Sequence, residues 1–183
     1  MKGLISIALL LLLPAHAWSE GEPEEMLLVY ADHVRQSQWD RIADVMDEDT
    51  KKKLKNAMVD LVKMEIDRGG SRIQQMVFGK PVKLKQAKST TAGQYLGAVM
   101  KEMAGSVRQQ GFDMAEVKIL GSVLESDDLS HLLVRVGMAK GDDSFSNLQV
   151  FSFTRNGDRW GMHLPANIKQ LLEMMEFRYR SPR

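Results

Sequence analysis

The chain has 183 residues, of which 44% are hydrophobic and 27% are charged, and it contains no cysteine. These values are typical of one ordinary domain, and they exclude a disulfide scaffold, a cysteine-ligated metal centre and a cysteine nucleophile. The formal net charge of +1 gives no global electrostatic reason to bind nucleic acid, so we expect no nucleic-acid partner.

The first 17 residues have the pattern of a secretory signal peptide. Met1-Lys2 gives a positive start, residues 3–13 are uncharged and end in a leucine run, and Ala15-His16-Ala17 supplies the small residues that signal peptidase requires. The apolar run has about a dozen residues, whereas a membrane-spanning helix needs ~20. We therefore predict cleavage after Ala17, a single mature domain of residues 18–183, and a periplasmic or secreted location.

Two amphipathic helices are predicted after a polar lead-in at residues 18–22. Apolar residues recur at helical spacing from Leu27 to Val34 and again from Leu54 to Val62. Asp40 is expected to cap a short helix between them, and Asp49 or Thr50 to begin the second long one. Gly69-Gly70 is expected to end that helix.

Residues 68–114 are predicted to be an inserted helical segment. Ser71 and Gln74 have the spacing of a capping box. Val82 and Leu84 alternate with lysines, which allows an edge strand within residues 79–91. Thr91 is expected to cap a helix of residues 92–110, with Tyr95 and Val107 on its apolar stripe and Gly111 as its end.

The periodicity then changes from 3.6 to 2, which is typical of strands. Polar turns separate four alternating segments, at residues 115–125, 129–139, 145–155 and 158–164. The first strand is expected to bury Val117, Ile119 and Val123. With a last helix and basic tail at residues 166–183, the fold class is α+β: N-terminal helices packed on a curved antiparallel sheet of about four strands, with an added C-terminal helix.

Asn156-Gly157 predicts a tight hairpin, because a type I′ turn has positive φ at both of its central residues. This turn fixes a register in which three pairs face each other: Arg155 with Asp158, Phe153 with Trp160, and Phe151 with Met162. The large apolar side chains of both strands would then lie on one face, beneath the helices.

Two segments resemble the nuclear transport factor 2-like superfamily, the cystatin-like α+β roll. Residues 38–47, QWDRIADVMD, resemble its second-helix signature, and residues 150–162, VFSFTRNGDRWGM, resemble its final hairpin. The resemblance implies a cone of helices wrapped by a bent sheet around a pocket. Members include ketosteroid isomerase-like and dehydratase-like enzymes and many exported domains with no chemistry. The added segments 68–114 and 165–183 depart from the compact form and could fill or cover the pocket.

Candidate catalytic groups are few. The mature chain has three histidines, His33, His131 and His163, without metal-ligand spacing. The acidic residues at 44–49 lack the alternation that calcium needs, and no Gly-x-Ser-x-Gly motif or phosphate-binding glycine loop is present. Methionines are numerous, but they fit core filling better than copper binding. We therefore predict no catalytic residue, no cofactor and no metal.

Charge is divided unevenly along the mature chain. Residues 18–50 carry 10 acidic and two basic side chains, and residues 51–88 carry 11 basic and three acidic ones. Either the two segments neutralise each other, or a basic face meets an acidic protein or a membrane surface through Lys51, Lys52, Lys53 and Lys55.

The last helix offers a second candidate contact surface. Met174 and Phe177 lie off its apolar stripe, and the basic residues Arg178, Arg180 and Arg183 follow. This edge fits either docking on a membrane or an acidic partner, or a larger core contact.

The sequence favours an exported, non-enzymatic domain that binds an apolar or amphipathic small molecule, such as a lipid. The expected ligand-binding residues are Phe151, Phe153, Trp160, Met162 and Tyr95, a lining that suits such a ligand. Two alternatives remain open. One is an isomerase-, dehydratase- or hydrolase-like enzyme that uses a pocket histidine or carboxylate, and the other is a protein-interaction module with a filled core.

Overall fold

The structure, a computed structural model, describes residues 22–109, 111 and 113–180. The predicted signal peptide, the start at Trp18 and the residue Arg183 lie outside this range, as do the side chains of Val107 and Arg180. The helices are α1 Pro23–Arg35, a 3₁₀ helix Trp39–Val45, α2 Glu48–Asp67, α3 Arg72–Phe78, α4 Leu84–Ser89, α5 Ala92–Gln109 and α6 Ala166–Arg180. The strands are β1 Asp113–Ser126, β2 Leu129–Lys140, β3 Asp143–Asn156 and β4 Arg159–Met162.

The four strands form one antiparallel sheet in the order β1-β2-β3-β4, which confirms the α+β class. Helix α1 packs against the sheet, the 3₁₀ helix packs against α5, and α6 packs against α2. The inner face of the sheet, which the helices cover, carries Leu132, Val134, Phe151 and Phe153, all buried. The core therefore lies between the sheet and the helices, as the change of periodicity predicts.

The hairpin between β3 and β4 differs from the predicted register by two residues. Phe153 pairs with Met162, and Asn156 pairs with Arg159. Gly157 has a φ of 65°, whereas Asn156 is not among the residues with positive φ. The central turn residues are thus Gly157 and Asp158, and a glycine alone at the first central position is typical of a type II′ turn.

A shift of two residues moves no side chain to the other face of a strand, because side chains alternate with a period of two. The predicted burial is accordingly confirmed even though the predicted pairing is wrong. Phe151, Phe153, Trp160 and Met162 all lie on the covered face and are buried.

Strand β1 departs from the simple alternation. Val117 and Ile119 are half-buried, as expected, but Val123 is 64% exposed. A bulge between Ile119 and Gly121 adds one residue to the strand, so Ser122 pairs with inner-face Leu132 and Val123 pairs with His131 on the opposite face. The extra residue reverses the phase of the alternation, which a period-2 pattern in the sequence does not reveal.

Three helix starts differ from the predictions. Asp40 lies inside the 3₁₀ helix and does not cap it, and the cap of α2 is Asp47, whose side chain accepts a hydrogen bond from the Thr50 amide. The start of α3 is not a capping box, because Ser71 makes no capping bond. Instead the Glu65 carboxylate, from α2, accepts hydrogen bonds from the amides of Ile73 and Gln74.

Residues 79–91 contain α4 and not an edge strand. The Val82 amide donates to the Gln74 side chain, and Ala87 is buried with its carbonyl accepting from the Tyr95 hydroxyl. These partners come from neighbouring helices, so the segment never reaches the sheet. The next start is as predicted: Thr91 and Gln94 form a reciprocal capping box at the beginning of α5.

Candidate functional site

An open cavity of about 770 Å³ lies over one end of the inner face of the sheet, between α1, α5 and the first three strands. The rings of Tyr30 and Phe151 meet at one wall, with their centroids 5.7 Å apart. Four methionine side chains from α5, β1 and β2 supply much of the rest: Met100, Met103, Met114 and Met138. Methionine is flexible and polarisable, so this lining suits apolar ligands of variable shape. We call this space the inner cavity.

Polar groups are placed around the apolar lining of the inner cavity. They belong to α1, β1, β3 and α6, and they are Arg35, Asp113, Asn147, Gln149 and Asn167. Most of these side chains are exposed, so they lie toward solvent and not in the core. An apolar interior with a polar rim is the form that amphipathic ligands need.

Only one of the five predicted ligand-binding residues lines the inner cavity, and that residue is Phe151. Phe153, Trp160 and Met162 lie in the core at the hairpin end of the sheet, and Met46 bridges to Met162 there. Tyr95 is buried on α5, with its ring near Phe78. Helix α1 contacts β4 at the hairpin end of the sheet, and the open space lies toward the other end of the strands.

The residues that sequence reasoning missed are Tyr30 and the four methionines of the inner cavity. Tyr30 lies within the apolar stripe predicted from Leu27 to Val34, and Met138 lies within the alternating segment predicted at residues 129–139. Nothing in the sequence marks where the helical cover ends, since a pocket lining and a filled core have the same periodicity.

A second space, which we call the outer cleft, has a volume of about 630 Å³. It lies between the first half of α2, the first half of α6 and the edge of β3. Asp47 and His163 are both among its lining residues. The ring of His163 bonds through Nε2 to the Thr154 hydroxyl.

His131 joins two side chains on the outer face of the sheet. Its Nδ1 lies 2.9 Å from the Ser152 hydroxyl oxygen, and its Nε2 lies 2.7 Å from a Glu125 carboxylate oxygen. Cross-strand pairing places His131 opposite Ser152, and the β1–β2 hairpin brings Glu125 alongside. Ser152 also lines the outer cleft. The third histidine, His33, bonds through Nδ1 to the Gln38 side chain.

Burial changes the acidity of the tyrosines. Burial raises the pKa of Tyr30 to about 12, from an ordinary value of 10.0. It also raises the pKa of Tyr95, and that of Tyr179, where a hydrogen bond to Glu65 acts in the same direction. Tyr30 is therefore a neutral hydroxyl at the wall of the inner cavity at any physiological pH.

An ion pair joins the basic residues of α2 to the acidic segment of residues 18–50. Lys51 pairs within its own helix, with Glu48, at 2.5 Å. Lys52 and Lys53 are exposed, and Lys53 lines the outer cleft. Contact with an acidic protein or a membrane surface through these residues stays a prediction.

The off-stripe residues of α6 are not explained by a core contact. Met174 is 57% exposed and Phe177 is 76% exposed. Arg178 is exposed next to them. In the part of the chain that the structure describes, no helix has the length and apolarity to span a bilayer. Over the same residues, no group of three or more histidine, aspartate and glutamate side chains could hold a metal ion.

Comparisons with known proteins leave the site to be interpreted from its own residues. The fold and the inner cavity define an α+β domain with a partly open apolar pocket. No protein-family model matches the chain, and no curated protein matches it. Among solved structures, the chain is similar to a SEC-C motif containing protein from Rhodopseudomonas palustris, with 12% identity over 78% of this chain and 75% of that chain, at a TM-score of 0.40. A similarity of this extent supports no conclusion about function.

Proposed function

We propose that the protein is an exported binding domain that holds an apolar or amphipathic small molecule, such as a lipid, in the inner cavity. The observation that carries the proposal is the lining of that cavity by two aromatic rings in tilted contact and four methionines, with polar side chains at its rim. The volume of about 770 Å³ lies within the usual range for small-molecule sites. Export rests on the signal-peptide pattern of residues 1–17.

The resemblance of residues 38–47 and 150–162 to the nuclear transport factor 2-like superfamily agrees with this proposal. In that superfamily the implied pocket lies between the helices and the sheet, where the inner cavity is found. The resemblance concerns the fold, and fold alone does not determine function. We therefore favour a binding role over catalysis because of the chemistry of the cavity lining.

The test is ligand retention by the mature protein, measured by native mass spectrometry after purification and after incubation with a phospholipid and a fatty acid. Ala104→Phe places a ring into the inner cavity from α5, and we expect it to abolish the added mass. Ala98→Phe is the matched control, because it adds the same volume on the same helix but toward a different groove. A bare mass for the unaltered protein, or equal uptake by both variants, contradicts the proposal.

A second candidate function is acyl ester hydrolysis, and the Glu125–His131–Ser152 chain favours it. The distances of 2.7 Å and 2.9 Å are those of a nucleophile, a base and an orienting acid. With hydrogen on Nε2 held by Glu125, Nδ1 of His131 takes the Ser152 proton as the serine oxygen attacks the ester carbon. The proton then passes to the departing alcohol, and water releases the acyl group by the reverse path.

The hydrolase candidate is tested with a fluorophosphonate probe, which labels activated serines. Labelling of Ser152 that is lost in His131→Gln supports it. Ser146→Ala is the matched control, because Ser146 is exposed on the same strand face, six residues before Ser152. No labelling, or labelling that persists in Ser152→Ala, rules this function out.

A further inference from the structure

The Tyr30 hydroxyl makes no hydrogen bond to another residue in the described part of the chain, although the residue is only 8% exposed. Burial alone raises its pKa, with no contribution from a hydrogen bond. The hydroxyl oxygen retains accessible surface, in contrast to the fully enclosed and unpaired Oδ2 of Asp47. Tyr30 lines the inner cavity and not the outer cleft. Buried polar groups are normally paired, so this hydroxyl is open to an occupant of the inner cavity.

The position of the Tyr30 ring is fixed by its neighbours. Leu27 and Ala31, on the same helix, are completely buried, and the ring contacts that of Phe151 at a tilt of 56°. Phe151 is in turn held in the sheet by its pairing with Leu132. The hydroxyl is therefore a donor at a constant place in the wall, and burial keeps it protonated at neutral pH.

Four other polar residues of the inner cavity are already engaged. The Gln149 side chain donates a hydrogen bond of 3.3 Å to the Asn147 oxygen. Trp39 and Asp113 each make an interaction of their own. The carboxylate of Asp113 is the one acidic group in the lining, so its engagement leaves no free anion to attract a cationic ligand.

Two polar residues at the rim make no side-chain hydrogen bond or ion pair to another described residue, and both can donate. Arg35, in the last turn of α1, is the one cationic residue in the lining. Asn167 lies in the first turn of α6, where no acidic residue offsets the positive end of the helix dipole. With Tyr30, the groups left open are donors, and the free charge among them is positive. They favour an anionic acceptor.

We propose that the ligand of the inner cavity is a fatty acid, whose carboxylate accepts a hydrogen bond from the Tyr30 hydroxyl and faces the guanidinium group of Arg35. This inference rests on the proposed function and adds the chemical class of the head group. A carboxylate fits because hydrogen bonds to a charged acceptor are roughly twice as strong as neutral ones. The hydrocarbon chain lies against the methionines, and a volume of about 770 Å³ accommodates a single-chain amphiphile.

The experiment is isothermal titration calorimetry of the mature protein with three probes of equal chain length, decanoate, 1-decanol and decylamine. Decanoate should bind more tightly than either of the other two by about tenfold or more. Since 1-decanol is the more hydrophobic molecule, partition of the chain alone would give the opposite order. Ala104→Phe, which places a ring in the inner cavity, should abolish binding of decanoate.

Tyr30→Phe removes the hydroxyl and keeps the ring contact with Phe151. It should weaken decanoate binding by about tenfold, and 1-decanol binding by several-fold less, because the lost bond to a neutral group is weaker. The hydroxyl has no partner in the described part of the chain, so the variant should keep the melting temperature of the unaltered protein at neutral pH.

Arg35→Gln provides a second, independent variant, because the residue is exposed and its replacement leaves the core unchanged. Loss of this charge at the rim should weaken decanoate binding by about threefold to fivefold and leave 1-decanol binding within about twofold. Arg41→Gln is the matched control: Arg41 is also exposed but does not line the inner cavity, and its loss should change neither affinity.

The outcomes separate this inference from the proposed function. If 1-decanol binds as tightly as decanoate and Ala104→Phe abolishes both, the head-group assignment is overturned and the binding role of the inner cavity stands. A preference for decanoate that survives both Tyr30→Phe and Arg35→Gln also overturns the assignment. If none of the three probes binds, or Ala104→Phe has no effect, both proposals fail.

Discussion

The Tyr179 hydroxyl donates a hydrogen bond of 2.9 Å to Oε1 of Glu65, a residue 114 positions earlier in the chain. Glu65 is completely buried, and its two oxygens also accept from the amides of Ile73 and Gln74. One carboxylate on α2 therefore caps α3 and holds the last turn of α6. Helix α6 forms one wall of the outer cleft. Glu65, which is not among the lining residues of the cleft, therefore helps to hold that wall in position.

Tyr179→Phe should lower the free energy of unfolding by about 1.5 kcal/mol, because the buried Glu65 loses a donor and its charge is less well stabilised. Urea unfolding followed by circular dichroism measures the change. Met174→Leu, at an exposed position on the same helix, is the control and should leave stability within about 0.5 kcal/mol. A loss of similar size in both variants would assign the effect to helix α6 as a whole.

Glu65→Gln should cost more than Tyr179→Phe, about 3 kcal/mol, because glutamine has only one acceptor oxygen for the two amides and the hydroxyl. Since the two residues share one hydrogen bond, the double variant should lose less than the sum of the single losses by about 1 kcal/mol. Strict additivity in a double-mutant cycle would show that the bond contributes nothing in solution.

The stability of the protein should fall in alkaline solution, and Tyr30 should be a principal cause. Unfolded tyrosine releases its proton near the ordinary value of 10.0, whereas the folded pKa is about 12. The stabilisation is fully present below pH 10 and is lost as the pH rises toward 12, because only the unfolded chain gains by releasing the proton. Two pKa units correspond to about 3 kcal/mol.

Urea unfolding at a series of pH values between 9 and 12 tests this dependence, with Tyr30→Phe as the comparison. The variant should lose stability less steeply with pH, because it lacks the Tyr30 hydroxyl and is otherwise the same chain. In the native protein, tyrosinate absorbance should also appear at higher pH than in denaturant. Parallel curves for the two proteins would show that Tyr30 ionises freely in the folded state.

Gly161→Ala should destabilise the protein by about 2 kcal/mol or more, because its Cβ would meet backbone atoms of Asp47, which cannot move cheaply. Gly105→Ala is the matched control: it lies within α5, nothing stands within 4 Å of its Cβ, and it should stabilise by about 0.5–1 kcal/mol. Thermal unfolding of both variants provides the measurement. A neutral Gly161→Ala would mean that α2 and β4 separate easily at this point.

Export and processing are tested directly by expressing the full chain in a bacterial host. The periplasmic or secreted product should begin at Trp18, as N-terminal sequencing or intact mass would show. Ala17→Tyr places a large residue at the cleavage site and should leave the precursor uncleaved and membrane-associated. A cytoplasmic product of full mass from the unaltered chain would contradict the prediction.

The sequence by itself determined most of the elements and their faces, with α4 and the second half of β1 as exceptions. Periodicity distinguished helices from strands and identified the buried sides of α1, α2 and β2, because burial of an amphipathic face is a local pattern. The Thr91–Gln94 capping box was equally readable, since both partners lie within four residues. The faces predicted for the hairpin residues are also correct, although the observed strand register differs from the predicted one by two residues.

Only the tertiary structure decided where a cavity remains between the helices and the sheet, and which residues far apart in the sequence come into contact. The inner cavity depends on how α1 and α5 lie over the first three strands, the phase of β1 depends on a bulge, and the cap of α3 depends on Glu65 from another helix. The pairing of Glu125, His131 and Ser152 likewise needs three strands in register. Packing and long-range hydrogen bonds join residues far apart in the chain, and no local periodicity encodes such contacts.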